Sequence, residues 1–424
     1  MGLGRSAGSV PPPPPPAGLR GPAAAPAAPA PGQGAADLAD AATSRAVISR
    51  SAAPQSAPPA AAGVAQAATQ LASAVPQGPG LPGAAAPVPG LPPQGAPVPP
   101  GVPTVGPGYL AVLSYRAPDG SEQKVMQRSE PGTPHPEWKI LQELRRLGVP
   151  PEQVLELHTE LECCDLPGGY CERLVRASWP NVRVTHTAPY GREQHARQAG
   201  MAQLLNHLDE LHQLAAGPQR PRPVRVPLPP AGAVAQLPPV PPQQLGAELA
   251  QFFGPGVFRY EQRAVSRQGV PEVVAQTLIW AGLPVSFGPF FWAQAQEGRP
   301  IPTLAELAAE RGLPAGPDAG GYLVLGNDYG RQLCVQYGTA AVVAVELDGT
   351  GEQPRFVNSG VPEFVRSLAL LGRMWPLRYG LTPDQAGRWT TDFQAELAAI
   401  DPAALQGPDT WWAVLLEQFW DGLL

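Results

Sequence analysis

HPEWKILQELRRLG (His135–Gly148) and ELECCDLPGGYCERLV (Glu160–Val175) decide the fold of this chain. In the first stretch Trp138, Leu141, Leu144 and Leu147 recur near helical spacing and Gly148 supplies a stop, which predicts a helix beginning at His135. In the second, a strand ends in E-x-E-C-C, and Cys171 opens another helix. His135 and Glu137 therefore stand at a helix start, and two cysteine segments flank the loop LPGGY (Leu166–Tyr170). Working outward, Tyr109–Arg116 and Glu122–Ser129 read as two strands around a Pro118-Asp119-Gly120 turn. Gln153–Thr159 and Val182–Thr187 read as further strands, Cys171–Trp179 as a short helix and Gln194–Ala215 as a longer amphipathic one. The order ββαβαβα implies a sheet covered by helices.

The residue types carry chemistry as well as structure. Two thiolates and one imidazole give zinc three ligands and leave a fourth position open, the pattern of a catalytic rather than a structural site. His135, Cys164 and Cys171 are the metal candidates, zinc the expected cofactor, and Glu137 the candidate proton carrier. Both ligand segments lie at helix N-termini, where backbone N–H groups favour thiolate. Three of the four Cys (Cys163, Cys164, Cys171) fall within nine positions, which is no disulfide framework. Cys163 competes with Cys164 and could complete a four-ligand structural site. His158 and His186 are single strand histidines; His195, His207 and His212 read as a solvated face. Glu160 and Glu162 read as strand-end carboxylates or a pocket rim, and Trp138 as core.

H-x-E followed by Cys-(loop)-Cys, on helix, strand end and helix, resembles the cytidine-deaminase-like superfamily. The longer loop resembles the bacterial nucleic-acid and nucleotide deaminases of polymorphic toxin systems. The resemblance implies Cys164 as the first thiolate ligand, although the family's Pro before it is Cys163 here. It implies a nucleotide or nucleic-acid substrate. Over 109–216, however, eleven Lys/Arg stand against fourteen Asp/Glu; a strand-tracking domain usually presents a positive groove. Net charge can hide a local basic patch, for which Arg145, Arg146, Arg173 and Arg176 are the candidates.

Composition sets the frame. Of 424 residues 58 are Pro and 47 Gly, and residues 1–106 form a Pro/Ala/Gly tract with almost no aromatics, expected to be a disordered tether. The expected divisions are the tether 1–106, a deaminase-like domain 107–216, a Pro-rich linker 217–244 and an α+β domain 245–424. No signal-like or membrane-spanning run is visible, so the expected location is cytoplasmic, with specialised export left open.

Beyond 245 there is no His, one isolated Cys334, and neither a GxGxxG nor a GxxxxGK[ST] phosphate loop. The expected strands are Phe258–Gln262, Tyr322–Gly326, Gln332–Gln336, Ala341–Leu347 and Arg355–Ser359, with Val224–Leu228 a doubtful one in the linker. Helices are expected at Leu245–Phe253, Pro271–Ala281 and Val361–Leu371. The landmarks Phe252–Tyr260, Gly282–Pro284, Gly321–Asp328 and Phe356–Leu368 resemble the SUKH superfamily of bacterial immunity proteins, which implies a partner-binding domain without catalysis. From the residues alone, Asn358-Ser359 reads as a turn or cap, and Trp375, Trp411, Trp412 and Trp420 as core. The reading is a deaminase with a fused immunity-type domain facing a toxin or its own neighbour; the alternative is an inactive zinc-binding interaction protein.

Overall fold

The computed structural model describes residues 102–106, 108–215, 222–230, 232–328, 331–349 and 352–424. Residues 1–101, the bulk of the expected tether, lie outside the described residues. The fold is mixed α/β in the first region and α+β in the second.

In the first region β1 (Leu110–Arg116), β2 (Glu122–Arg128), α1 (Pro136–Leu147), β3 (Val154–Leu161), α2 (Cys171–Ser178), β4 (Arg183–Ala188) and α3 (Gln194–Ala215) follow in order. The sheet runs β2-β1-β3-β4, with β1 antiparallel to both neighbours and β3 parallel to β4. A parallel pair needs a crossover, and α2 supplies it. Alternate residues of β1 and β3 (Ala111, Leu113, Leu157, Leu161) face Ile140, Leu141, Leu144 and Val175 in one buried cluster.

The helix α1 stands where the sequence puts it, but its buried face is turned by one position. Glu137, Ile140, Leu141 and Leu144 are inside, Trp138 is half-buried, and Leu147 is 45% exposed. The inward stripe keeps the i, i+3, i+4, i+7 spacing but begins at a carboxylate, which a hydrophobicity reading sends to solvent. Gly148 closes the helix in the left-handed region (φ 66°), its N–H donating to the Leu144 and Arg145 carbonyls.

The second region contains α4 (Pro242–Phe253), β5 (Val257–Phe258), α5 (Gln262–Val265), α6 (Glu272–Trp280), β6 (Leu283–Pro284), β7 (Ser286–Phe287), β8 (Phe291–Ala293), α7 (Leu304–Glu310), β9 (Tyr322–Asp328), β10 (Arg331–Gln336), β11 (Val342–Glu346), β12 (Arg355–Asn358), α8 (Val361–Met374), α9 (Pro383–Ile400) and α10 (Trp411–Trp420). Its central sheet, β12-β11-β10-β9-β8-β7, is antiparallel throughout. The expected strand Phe258–Gln262 is cut to Val257–Phe258, because Gln262 already starts α5. Val224–Leu228 contributes a single bridge, Thr104 to Val224; its prolines remove the donors a longer ladder needs. Trp375, Trp411, Trp412 and Trp420 are all buried.

The two regions meet along α10 and the tail after it. Val414 and Leu423 belong to the apolar cluster of the first region. Arg197 on α3 is fully buried and pairs with Glu417 and, at 3.1 Å, with Asp409. Tyr190 donates to Asp421, which also takes Arg225 from the Pro-rich stretch. Thr104 and Val105 are buried, and the Val105 and Gly106 N–H groups donate to the Pro383 and Trp420 carbonyls. Arg378, within 5 Å of the ring centroids of Trp389 and Phe419, donates to the Phe419 and Leu424 carbonyls and fixes that tail; burial pushes its pKa down to about 9.

Candidate metal centre

His135 caps the N-terminus of α1 with extended backbone (ψ 148°), a conformation the following Pro136 favours. Cys164 lies just past the end of β3, and Cys171 is the first residue of α2. The Glu172 N–H, in the first turn of α2, donates to the Cys164 carbonyl and ties the two segments together. The result is convergence: His135 Nδ1 lies 3.4 Å from Cys164 Sγ and 3.2 Å from Cys171 Sγ. All three candidate ligand atoms fall within 4.8 Å of one another and all are buried.

That set fits zinc. Zn–S bonds of about 2.3 Å and Zn–N bonds of about 2.0–2.1 Å at tetrahedral angles give an N···S edge of about 3.6 Å, and both N···S distances lie within a few tenths of it. Burial pushes the thiols up, yet at Cys164 the hydrogen bond from Cys171 and the His135 ring outweigh it and bring the pKa down. Cys171 goes up, first by burial, then by its hydrogen bond to Cys164 and by the Cys164 charge. For His135 burial pulls downward, but the Cys164 thiolate prevails and raises it. A soft thiolate, a second thiol and an imidazole competing for one proton are a donor set suited to a cation.

Glu137 sits two residues from His135 and is fully buried. One carboxylate oxygen accepts from Tyr109 Oη at 2.7 Å; the other lies 3.6 Å from the Cys163 thiol. Burial raises its pKa, with the His135 charge and the Tyr109 hydrogen bond opposing in that order. The adjacent cysteines thus point to different partners, Cys164 to His135 and Cys163 to Glu137.

The loop between the cysteines is built for close approach. A Cβ on Gly169 would stand 2.7 Å from both Cys164 Sγ and His135 Cε1, inside contact distance. Gly168 has φ +81°, and a Cβ there would meet Leu415 at 2.7 Å and Leu424 at 3.4 Å. Gly169 faces the candidate ligands and Gly168 faces α10 and the tail.

The other candidates lie elsewhere. His158 is exposed and bridges Thr185 and Thr187 across the parallel pair. His186 and His195 are exposed, and His207 faces Glu210 at 3.7 Å. Glu160 and Glu162 accept from the Leu110 and Tyr190 backbone N–H groups, so they fasten strand ends. Arg146 pairs with Glu143 and Arg176 with Glu172 along their own helices. Two contributors escape sequence reading. Tyr109 lies 28 positions from Glu137, and Gly169 has only the double glycine of LPGGY to signal it.

In the second region Asn358 is the centre of a polar knot. Its amide donates to Ser367 Oγ and Asp401, its carbonyl accepts from Trp412 Nε1 at 2.9 Å, and Ser359 donates to Asp401 through backbone and hydroxyl. The pair is therefore a clamp between β12, α8 and α10; the cap position of α8 is Gly360. Cys334 is fully buried and its pKa is raised by that burial.

Comparison with known proteins finds two matching family models. A family model described as Xanthomonas-like deaminase matches residues 106–207. A second, the SUKH-4 immunity protein, matches residues 244–418. No curated protein matches the chain, and no solved structure does. Within one chain, then, a deaminase-family region carrying a buried His/Cys/Cys group is joined to a SUKH-4 immunity-family region.

Proposed function

We propose that this chain is a zinc-dependent hydrolytic deaminase of a nucleobase, carried in a nucleotide or nucleic acid, and that its SUKH-4-like half restrains it in cis. The observation that carries the reading is the convergence of His135 Nδ1, Cys164 Sγ and Cys171 Sγ beside a buried carboxylate. His135, Cys164 and Cys171 would hold the metal. When bound, zinc supplies a Lewis acid that makes water nucleophilic near neutral pH. Hydrolysis replaces a ring-carbon amine with an oxygen and releases ammonia. Glu137 takes the proton of the attacking water and delivers it to the ring nitrogen and the leaving amine. Burial favours its protonated form, which suits a group that must give the proton back. Tyr109 holds the carboxylate in place.

Support for restraint in cis comes from the seam between the halves. His135, Glu137, Cys164 and Cys171 are each at most 2% exposed. The loop 166–170 packs on Cys164 and His135 through Gly169, and Leu415, Gln418 and Leu424 of the other half lie against its Gly168.

The test uses the full chain. Elemental analysis should give about one zinc per chain, and a screen of cytidine- and adenosine-containing nucleosides, nucleotides and single strands should give ammonia release on at least one class. One zinc with no turnover on any substrate would favour an inactive zinc-binding interaction protein. A chain without zinc would sink the reading outright.

A further inference from the structure

Resting on that deaminase reading, we propose that Arg173 and Arg192 form its phosphate-binding subsite and that Glu346 and Glu352 of the SUKH-4-like half occupy it. The substrate class is then phosphorylated, a nucleotide or a strand, and not a free base or nucleoside.

Asp165 follows the ligand Cys164 directly. One of its oxygens takes Arg173 Nε at 3.0 Å and the other takes Arg192 Nη2. Two guanidinium groups are thereby tied to the residue next to Cys164, Arg173 two residues after Cys171 and Arg192 in the turn between β4 and α3. Arg173 also lies over the ring of Tyr170, 5.1 Å from its centroid, at the end of the loop that packs on the ligands. One carboxylate against two guanidinium groups leaves a surplus positive charge. The surplus is met from the other half of the chain: Arg173 Nη2 reaches Glu346 at 3.2 Å, and Arg192 Nη1 reaches Glu352 at 2.8 Å. Arg331 holds both of those carboxylates from behind.

Guanidinium groups grip carboxylate and phosphate with the same paired N–H···O geometry, so one can stand in for the other. The seam contains two sorts of arginine pair. Arg197 is sealed, with a side chain 0% exposed, and serves as structure. Arg173 and Arg192 keep 40% and 49% of their side chains in solvent, against 11% for Glu346 and 38% for Glu352, so an incoming anion can reach both guanidinium groups and compete most readily at the Arg192–Glu352 pair. Arg192 and Glu352 also open onto a hollow of about 500 Å³ lined by Arg355, Phe356 and Asp409, which gives a ligand room to approach.

The experiment measures binding of a fluorescein-labelled, mixed-sequence single-stranded oligodeoxynucleotide to the zinc-loaded full chain by anisotropy, at two salt concentrations. Calorimetry with dCMP and AMP, against deoxycytidine and adenosine, separates free nucleotide from strand. E346Q/E352Q should bind the phosphorylated probe at least about tenfold more tightly than wild type, with nucleoside binding unchanged. Adding R173Q/R192Q should abolish the gain and lower the log–log salt slope for the oligonucleotide by about 1.4, the share of two phosphate contacts on a single strand. E352Q alone, at a partly exposed carboxylate, should give a smaller gain in the same direction and guards against misfolding of the double variant. No gain in either variant, with zinc content and Tm as in wild type, would overturn the proposal. So would a gain that survives R173Q/R192Q. Zinc content and turnover in the same samples test the deaminase reading separately: loss of those with phosphate binding intact removes that reading alone.

Discussion

Each half of the molecule buries a polar cluster, and the two are built on opposite principles. Around Asn358 the donors and acceptors answer one another: Asn358, Ser359, Ser367, Asp401 and Trp412 form a closed set of hydrogen bonds. Around His135 two thiols and an imidazole point at one place, and Glu137 stands beside them at a cost in burial that raises its pKa. A closed network stiffens a core. Ligand atoms aimed at a common point could hold a cation. Equal burial therefore separates into a structural clamp and a candidate metal site once the direction of each atom is followed.

The largest separation between the clusters should come from ligand removal. Cys171→Ala should empty the metal centre completely while leaving the second region folded; Cys163→Ala, which faces Glu137, should keep most of the zinc. Elemental analysis of both decides it, and the reverse pattern would break the ligand assignment. Next comes the seam. Arg197→Ala removes one of the two arginines on Glu417, leaving Arg225, and takes the partner of the partly exposed Asp409, and should cost about 1.5–3 kcal/mol. Calorimetry should show both regions melting together at the lower temperature; two separate transitions would show that the seam does not couple them. Asn358→Ala should cost about 1–3 kcal/mol, the penalty for stranding buried partners, with zinc content unchanged.

A further effect is one of pH. Asp421 faces Tyr190, Arg225, Glu417 and Arg197, and burial above all pushes its pKa up to about 7. Its folded pKa exceeds the unfolded one, so the folded state holds the extra proton between about pH 4 and 7. Its contribution to stability then declines as pH rises through that window and is flat above it. Asp421→Asn should remove that decline in a Tm-versus-pH series; an unchanged slope would place the titration elsewhere.

Much of this was legible in the sequence because local chemistry announced it. H-x-E at a helix start and two cysteines around a glycine loop are short-range signals, and β1 to α3 follow the expected order within a residue or two at most ends. What escaped was non-local or too short. Tyr109 meets Glu137 only because β1 lies beside α1, and Asp401 meets Asn358 across 43 positions. The strands β7 and β8, two and three residues long, carry no readable period. Helix α7 did have a signal: Thr303 and Glu306 form a reciprocal capping box, the T-x-x-E pattern. The turned face of α1 is the most telling miss, since the residue that displaced the expected stripe is Glu137, the proposed proton carrier.

The most direct test of the account is Glu137→Gln in the full chain, with zinc content and deamination measured on the same preparation. The account predicts about one zinc per chain, as in wild type, and turnover lower by a factor of about 10²–10⁴, the share of general acid–base transfer. Wild-type turnover in the variant, or loss of its zinc, would contradict it.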